Sequence, residues 1–184
     1  MSCRRRTTWC RTAVTITALM LALGRWCRSD EPSLARVEAA FVYNFTQFVE
    51  WPADAFATKD APFVVAIVGE DPFAGALDQA MAGKQANGHP IVVKHFASAD
   101  RIESCQLLFV PAAQDAAVGA ILANAANRPI LTVGQTDAFM RGGGAIRLLV
   151  EDGHMRFQLS PDAMDAAKLK ASAKLMKLAR IYRK

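Results

Sequence analysis

Three histidines are the side chains best suited to acid–base chemistry or to binding a transition metal: His89, His95 and His154. None of them stands four residues from a second histidine or a carboxylate, and no HExxH or CxxC motif occurs. The G-x-S-x-G nucleophile motif, the P-loop and the G-x-G-x-x-G motif are also missing from the sequence. The sequence therefore predicts no catalytic residue, no metal site and no cofactor, and it indicates a protein that is not an enzyme.

Two short segments have the residue types that contact ligands in α/β proteins. Glu70 and Asp71 follow an apolar run, and open sheets bind ligands at the carboxyl ends of their strands. Gly142 and Gly143, followed by Gly144, can bring backbone amides close to an anion. These residues predict a ligand site, but plainer alternatives stay open, because Asp71 can cap a helix and the glycines can form a turn.

The first 29 residues have the features of a secretory signal peptide. Four arginines precede an uncharged apolar stretch at residues 12–23, and small residues follow it. The stretch has 12 residues, fewer than the roughly 20 that cross a bilayer. We expect cleavage after Gly24 or Ser29, which leaves residues 30–184 as a single domain. An N-terminal anchor or a misassigned start codon is the alternative.

Removing that segment changes the charge and the cysteine content. The full chain has a net charge of +5 and four cysteines, but residues 1–29 contain six arginines, no acidic residue and three of the cysteines. Residues 30–184 have 16 basic and 17 acidic residues and one cysteine, Cys105. A nearly neutral domain does not indicate a nucleic-acid partner. One cysteine forms neither an internal disulfide nor a structural zinc site, so Cys105 is predicted to be free.

The spacing of apolar residues predicts alternating helices and strands. A helix is expected over 33–49, capped by Ser33 and ended by Trp51-Pro52. Further helices are expected at 71–82, where Asp71 is the cap and Pro72 the first helical residue, and at 112–126. Apolar runs predict strands at 62–68, 91–96, 105–110 and 130–133.

The last part of the chain predicts a different arrangement. Runs at 145–150 and 155–159 flank Asp152-Gly153, the turn signal of a β-hairpin that we place at the sheet edge. Two helical segments, 162–168 and 172–182, or one kinked helix, follow. The predicted fold is an α/β three-layer sandwich, with a mostly parallel central sheet, an antiparallel C-terminal hairpin and flanking helices.

Aromatic residues are dense along the first helix and at its end. They include Phe41, Tyr43 and Trp51. Such residues either pack into the core or form an exposed site for a protein partner.

Basic residues are concentrated at the other end of the domain. Residues 162–184 contain seven basic and two acidic side chains, among them Lys170, Lys174 and Lys177. We expect these lysines opposite an apolar side of the last helix. They form either a solvated helix face or a surface for anionic lipid head groups or an acidic partner.

An ordered set of segments resembles the YfiR-like family of periplasmic proteins. The segments are 37–45, 48–52, 68–73, 83–84, 105–110, 130–134, 156–159 and 175–181, together with Phe139, Gly142, Gly143 and Ile146. The resemblance covers roughly residues 34–182, which is nearly all of the chain that follows the predicted signal peptide.

The resemblance implies a regulator in the periplasm. It implies that the protein binds the periplasmic sensor region of an inner-membrane diguanylate cyclase and inhibits it, which lowers cyclic-di-GMP and biofilm formation. It also implies sequestration by an OmpA-like outer-membrane lipoprotein, and a homodimer. The alternative is a periplasmic small-ligand-binding domain with its site at the strand carboxyl ends, near residues 69–73 and 142–144.

The sequence departs from the family at positions that concern redox control. Ala66 stands where members often have a cysteine that pairs with the equivalent of Cys105. A second cysteine pair, seen in some members around residues 139–150, is also missing. Because these cysteines are missing, we expect no internal disulfide switch in this chain.

The sequence also departs from the family near its end. Lys168 and Ala171 replace a glycine and a β-branched residue that the family favours, so we expect the kink there to differ.

Overall fold

The computed structural model describes residues 33–98, 102 and 104–183. These residues belong to one compact unit, Pro32–Lys184. The predicted signal peptide and both of its cleavage sites lie outside the described residues and stay predictions. Within the described part of the chain, no helix is long and apolar enough to cross a membrane.

The first helix, α1 (Leu34–Phe48), forms where the apolar spacing predicts it. Val42 and Phe45 are buried on the side that faces the sheet. Ser33 occupies the N-cap position, but its side chain makes no capping hydrogen bond. Instead its backbone carbonyl accepts a hydrogen bond from the amide of Val37 at 3.2 Å.

The described domain contains ten strands: β1 (Val49–Glu50), β2 (Phe63–Val68), β3 (Gln85–Ala86), β4 (His89–Phe96), β5 (Leu107–Val110), β6 (Leu131–Gly134), β7 (Ile146–Glu151), β8 (His154–Leu159), β9 (Lys170–Ala171) and β10 (Arg180–Ile181). Eight of them form a curled central sheet in the order β10-β8-β7-β6-β5-β2-β4-β3. The neighbours from β4 to β7 are parallel, whereas β3 and β8 are antiparallel to β4 and β7. Outside this sheet, β1 and β9 form an antiparallel pair.

Helices cover both faces of the sheet. Besides α1 they are α2 (Ala76–Met81), α3 (Val118–Ala125), α4 (Asp137–Arg141), α5 (Pro161–Ala166) and α6 (Ala173–Leu178). Because side chains alternate along a strand, Val65 and Ile67 of β2 pack in the core under α1, α2 and α6. Val64 and Ala66 pack in a second core under α3 and α4. The predicted α/β sandwich with a mostly parallel sheet is confirmed.

The predicted bounds of the helices after β2 and after β5 are wrong. The helix after β2 begins at Ala76 and not at Pro72, because the Asp71 carboxylate accepts hydrogen bonds from Phe73 N at 2.8 Å and Gly75 N at 2.9 Å. These bonds hold a separate turn before the helix. The predicted helix over 112–126 is divided into a 3₁₀ segment, Ala112–Ala117, and α3.

Helix α4 is absent from the sequence prediction, although Thr136 is a typical N-cap residue for it. The Thr136 hydroxyl accepts a hydrogen bond from Phe139 N at 3.1 Å. The helix has five residues, which is too short for apolar periodicity to be recognised.

The hairpin of β7 and β8 forms at the predicted turn, where Asp152 and Gly153 have φ angles of +50° and +73°. Its predicted position at the sheet edge is wrong, because β10 pairs in parallel with β8 and is the edge strand. The predicted helix over 172–182 ends at Leu178. Ala179 is extended, with φ −78° and ψ 143°, and the chain then joins the sheet.

Candidate functional site

The carboxyl edge of the parallel strands contains the crevice in which open α/β sheets bind ligands. Helices that follow the neighbouring strands β2 and β5 pack on opposite faces, so the topological switch point lies between these strands. Gly69 leaves β2 with a φ of +82°, and a Cβ atom at this position would overlap the Gln114 amide. The side chain of Gln114 therefore fills the crevice next to Gly69.

Glu70 and Asp71 follow Gly69 at this edge, as predicted. Glu70 is exposed, whereas Asp71 is half-buried. Both carboxylate oxygens of Asp71 accept hydrogen bonds from its own turn, one from Phe73 N and one from Gly75 N. The observed contacts of Asp71 are those of a residue that holds a turn.

A buried carboxylate lies at the same edge and was missed from the sequence. Glu38 of α1 is 8% exposed, and it accepts a hydrogen bond from Nε2 of Gln135 at 3.0 Å. Burial raises the pKa of the Glu38 carboxyl above its ordinary value, and the hydrogen bond from Gln135 lowers that pKa by less. A signal was present, because Glu38 lies three residues before Phe41 and four after Leu34, on the apolar side of the helix.

Polar side chains connect the segments that follow β5 and β6. Oε1 of Gln135 accepts a hydrogen bond from Ala112 N at 3.0 Å. The Thr136 hydroxyl donates to the Asp115 carboxylate. These contacts fix the carboxyl edge around Glu38, so the polar groups of this edge are largely used within the protein.

Gly142 and Gly143 do not lie with Glu70 and Asp71. They line a cleft of about 350 Å³ beside Ile130, which immediately precedes β6, and the helices α3 and α5. Glu70 and Asp71 follow the carboxyl end of β2, which is parallel to β6 through β5. The structure therefore separates the two halves of the predicted ligand site between opposite ends of the strands.

The three histidines lie in different parts of the described domain. His89 is stacked on Phe56 with ring centroids 3.8 Å apart, and its Nδ1 donates to the Ala61 carbonyl at 2.6 Å. His95 Nε2 lies 3.4 Å from the Asp78 carboxylate, and His154 is the first residue of β8, directly after the hairpin turn. Among the residues that the structure describes, no group of three or more His, Cys, Asp or Glu side chains could hold a metal ion.

The aromatic residues predicted as a partner site each have a contact within the domain. Phe41 packs edge-to-face on Phe157 with centroids 6.1 Å apart. The Tyr43 ring lies under the Lys84 ammonium group, which is 4.0 Å from the ring centroid. The Trp51 indole N–H donates to the Gln106 carbonyl at 3.0 Å. All three side chains are half-buried.

A basic surface is present at the end of the domain. We define it as the six cations of residues 168–183, a segment without acidic residues: Lys168, Lys170, Lys174, Lys177, Arg180 and Arg183. All six are exposed, but they lie on β9, α6, β10 and the adjoining loops and not on one helix as predicted. Two apolar side chains of the segment are exposed among them, Leu178 at 66% and Ile181 at 42%.

The basic surface adjoins the end of α1. Ser172 N donates to the Phe48 carbonyl at 2.9 Å, and Glu50 of β1 pairs with Lys170 of β9. The Lys174 ammonium group lies 4.8 Å from the centroid of the Phe48 ring. Lys170 and Lys174 therefore lie close to the end of α1.

Cys105 is buried, and its thiol forms no disulfide among the described residues. Burial raises the pKa of its thiol to about 12, against a smaller lowering by the charge of Arg128. Ala66 lies on the adjacent strand β2, in register with Leu108 of β5. Because β2 contains no cysteine, no disulfide can join this strand to Cys105.

Comparison with known proteins gives one family. The family model described as YfiR/HmsC-like matches residues 35–180. A solved structure, a conserved domain protein from Vibrio cholerae O1 biovar El Tor, is similar with a TM-score of 0.47 and 11% identity, over 65% of this chain and 54% of that chain. No curated protein matches the sequence. Because the family model covers most of the sequence, the chain belongs to the YfiR/HmsC-like family, whose members are periplasmic regulators of diguanylate cyclases and not enzymes.

Proposed function

We propose that this protein is exported to the periplasm, binds the periplasmic sensor region of an inner-membrane diguanylate cyclase and inhibits it. Lower cyclic-di-GMP and less biofilm follow. Family membership supports the class of partner. The observation that carries the proposal is the basic surface, a segment with six exposed cations in which Leu178 and Ile181 are also exposed, because exposed apolar side chains often mark a site for a protein partner.

Inhibition is explained by a population shift. If the basic surface binds the inactive conformation of the sensor region more tightly than the active one, the inactive conformation becomes more populated. An OmpA-like outer-membrane lipoprotein that binds the same surface would remove the inhibitor from the cyclase. We also propose a homodimer, on the strength of the family resemblance.

The alternative function, small-ligand binding at the strand carboxyl ends, has less support. Gln114 fills the crevice beside Gly69, and Gly142 with Gly143 lines a different cleft. The carboxylate of Asp71 and the amide of Gln135 have partners within the protein.

Deletion of the gene tests the proposal in the cell. We expect cellular cyclic-di-GMP to rise several-fold and biofilm to increase, and both changes should disappear when the responding cyclase is also deleted. An unchanged cyclic-di-GMP level, in cells that express the cyclase, would contradict inhibition.

Binding in solution tests the surface. The triple variant Lys170→Gln, Lys174→Gln and Lys177→Gln is expected to bind the purified periplasmic region of that cyclase at least tenfold more weakly at low salt. The control is Arg36→Gln, Lys59→Gln and Lys84→Gln, which removes the same charge elsewhere. An equal loss of affinity in both triple variants would indicate general charge attraction. The difference in affinity between the lysine variant and the unchanged protein should decrease at higher salt, because salt screens the lysines.

A further inference from the structure

Strand β10 has an open edge among the described residues. It is the outermost strand of the sheet and pairs only with β8, with Arg180 opposite Gln158 and Ile181 opposite Leu159. An open edge presents backbone N–H and C=O groups to any strand that can pair with it. The edge adjoins the basic surface, because Arg180 belongs to both and Arg183 follows the strand by two residues.

The backbone hydrogen bonds identify which residue faces outward. Tyr182 N donates to the Leu159 carbonyl at 2.8 Å, so the N–H of residue 182 points toward β8. Successive residues of a strand direct their backbone groups to opposite sides. The N–H and C=O of Ile181 therefore point away from β8, where no described residue bonds them.

The side chains around this edge select the charge of the incoming segment. Arg183 and Lys177 are exposed, and the Arg180 guanidinium reaches Glu151 at 2.7 Å while 58% of its side chain remains exposed. Two copies of this chain that paired along β10 would place these cations beside their equivalents, which is unfavourable. An acidic segment would be attracted.

We infer that the open edge of β10 binds an extended, acidic segment of the protein partner, which adds to the sheet as a further strand. The inference rests on the proposed function and adds the chemistry of the recognised segment. Backbone hydrogen bonds to Ile181 supply affinity, the exposed Ile181 and Leu178 side chains contact apolar residues of the segment, and the cations select acidic ones. A lipid head group can satisfy the cations but offers no strand to pair with Ile181.

Proline substitution tests the strand pairing directly. Ile181→Pro removes the N–H that points away from β8. The free protein loses no hydrogen bond, because that N–H has no partner among the described residues, and proline is tolerated on edge strands. We expect it to weaken binding of the purified periplasmic region of the cyclase at least tenfold. The matched control, Ile181→Val, keeps the N–H and a β-branched side chain, and should bind within threefold of the unchanged protein.

Hydrogen exchange gives a second readout that does not depend on the variant folding. In the unchanged protein, exchange of the Ile181 amide should slow at least tenfold when the cyclase region is added. Strand addition would be overturned if Ile181→Pro bound the cyclase region as tightly as the unchanged protein, or if the Ile181 amide stayed unprotected in the complex. Neither outcome would contradict the inhibitor function, which the gene deletion tests separately. Protection of this amide by self-association, or by phosphatidylglycerol vesicles alone, would also overturn strand addition. If the deletion leaves cyclic-di-GMP unchanged, the proposed function itself fails.

Discussion

Gln135 donates a hydrogen bond to the buried carboxylate of Glu38 across a separation of 97 residues. The contact joins the start of α1 to the carboxyl end of β6. Gln135 also accepts from Ala112 N at 3.0 Å, so one amide side chain connects the exits of β5 and β6 to the helix that covers them. The carboxyl edge of this sheet is therefore held by its own polar groups.

Replacing Glu38 by glutamine is expected to stabilise the protein at neutral pH. Burial raises the pKa of Glu38 above the ordinary 4.5, so the folded protein binds this proton more tightly than the unfolded chain does. Stability is therefore highest below the ordinary pKa and decreases as the pH rises through the raised one. Glu38→Gln retains an acceptor for Gln135 without a buried charge. We expect the free energy of unfolding at pH 7 to increase by on the order of 1 kcal/mol.

Urea unfolding at pH 4 and pH 7 measures this effect. The difference between Glu38→Gln and the unchanged protein should be smaller at pH 4, where both side chains are neutral. Glu70→Gln is the control, because Glu70 is exposed, and its effect should stay within about 0.5 kcal/mol. A Glu38→Gln protein that is less stable at pH 7 would contradict the prediction.

Truncation of Gln106 is expected to be strongly destabilising. Its side chain is buried, accepts from Val64 N at 2.8 Å and donates to the Ala55 carbonyl at 2.7 Å. Gln106→Ala leaves both backbone groups without a partner, at a cost of about 2–4 kcal/mol in the free energy of unfolding. The exposed Gln79 of α2 provides the control. If Gln79→Ala proves equally costly in urea unfolding, the hydrogen bonds of Gln106 are not the cause.

Local patterns predicted those elements that bury a long apolar surface. Strand β2 was predictable because its six apolar residues are mostly β-branched, which is typical of a strand covered on both faces. The hairpin was predictable because Asp152 and Gly153 adopt the positive φ angles that such a turn requires. Strand β10 was not, since Arg180 and Ile181 continue a helical spacing and become a strand through pairing with β8.

The candidate sites were less predictable because they depend on distant contacts. The sequence placed Asp71 and Gly142 in one ligand site, but only the strand order shows that they lie at opposite ends of the strands. The lysines could be recognised from composition. Whether Phe41 is exposed depends on Phe157, which is more than 100 positions away.

Cys105 is expected to be unreactive in the folded protein. With its thiol pKa at about 12, roughly one molecule in ten thousand carries the reactive thiolate at pH 8. The test uses a variant with Cys3, Cys10 and Cys27 changed to serine. In the folded variant, Cys105 should react with a disulfide reagent at least a hundredfold more slowly than in the same variant unfolded in urea. Equal rates in both conditions would show an accessible thiol and reopen redox control.

Gly134 and Gly144, on either side of α4, both lie against the ring of Phe139. A Cβ atom on Gly144 would overlap the ring of Phe139, and one on Gly134 would lie 2.5 Å from Cγ of the same ring. Phe139 is 1% exposed and cannot move toward solvent without loss of buried area. Gly144→Ala should therefore lower the free energy of unfolding by about 1–3 kcal/mol. Gly119→Ala is the control, since a Cβ there meets nothing within 4 Å and should stabilise α3 by up to about 1 kcal/mol.

A double variant distinguishes crowding from loss of an anion site at the same glycines. If Gly144 is required because Phe139 occupies the space above it, Phe139→Leu should make Gly144→Ala less costly, since the smaller side chain leaves room for the added methyl group. The two substitutions would then be less than additive in urea unfolding, by about 0.5–3 kcal/mol. If the glycine run instead binds an anion, phosphate should stabilise the unchanged protein and not Gly144→Ala. Strict additivity together with phosphate stabilisation would refute the packing explanation.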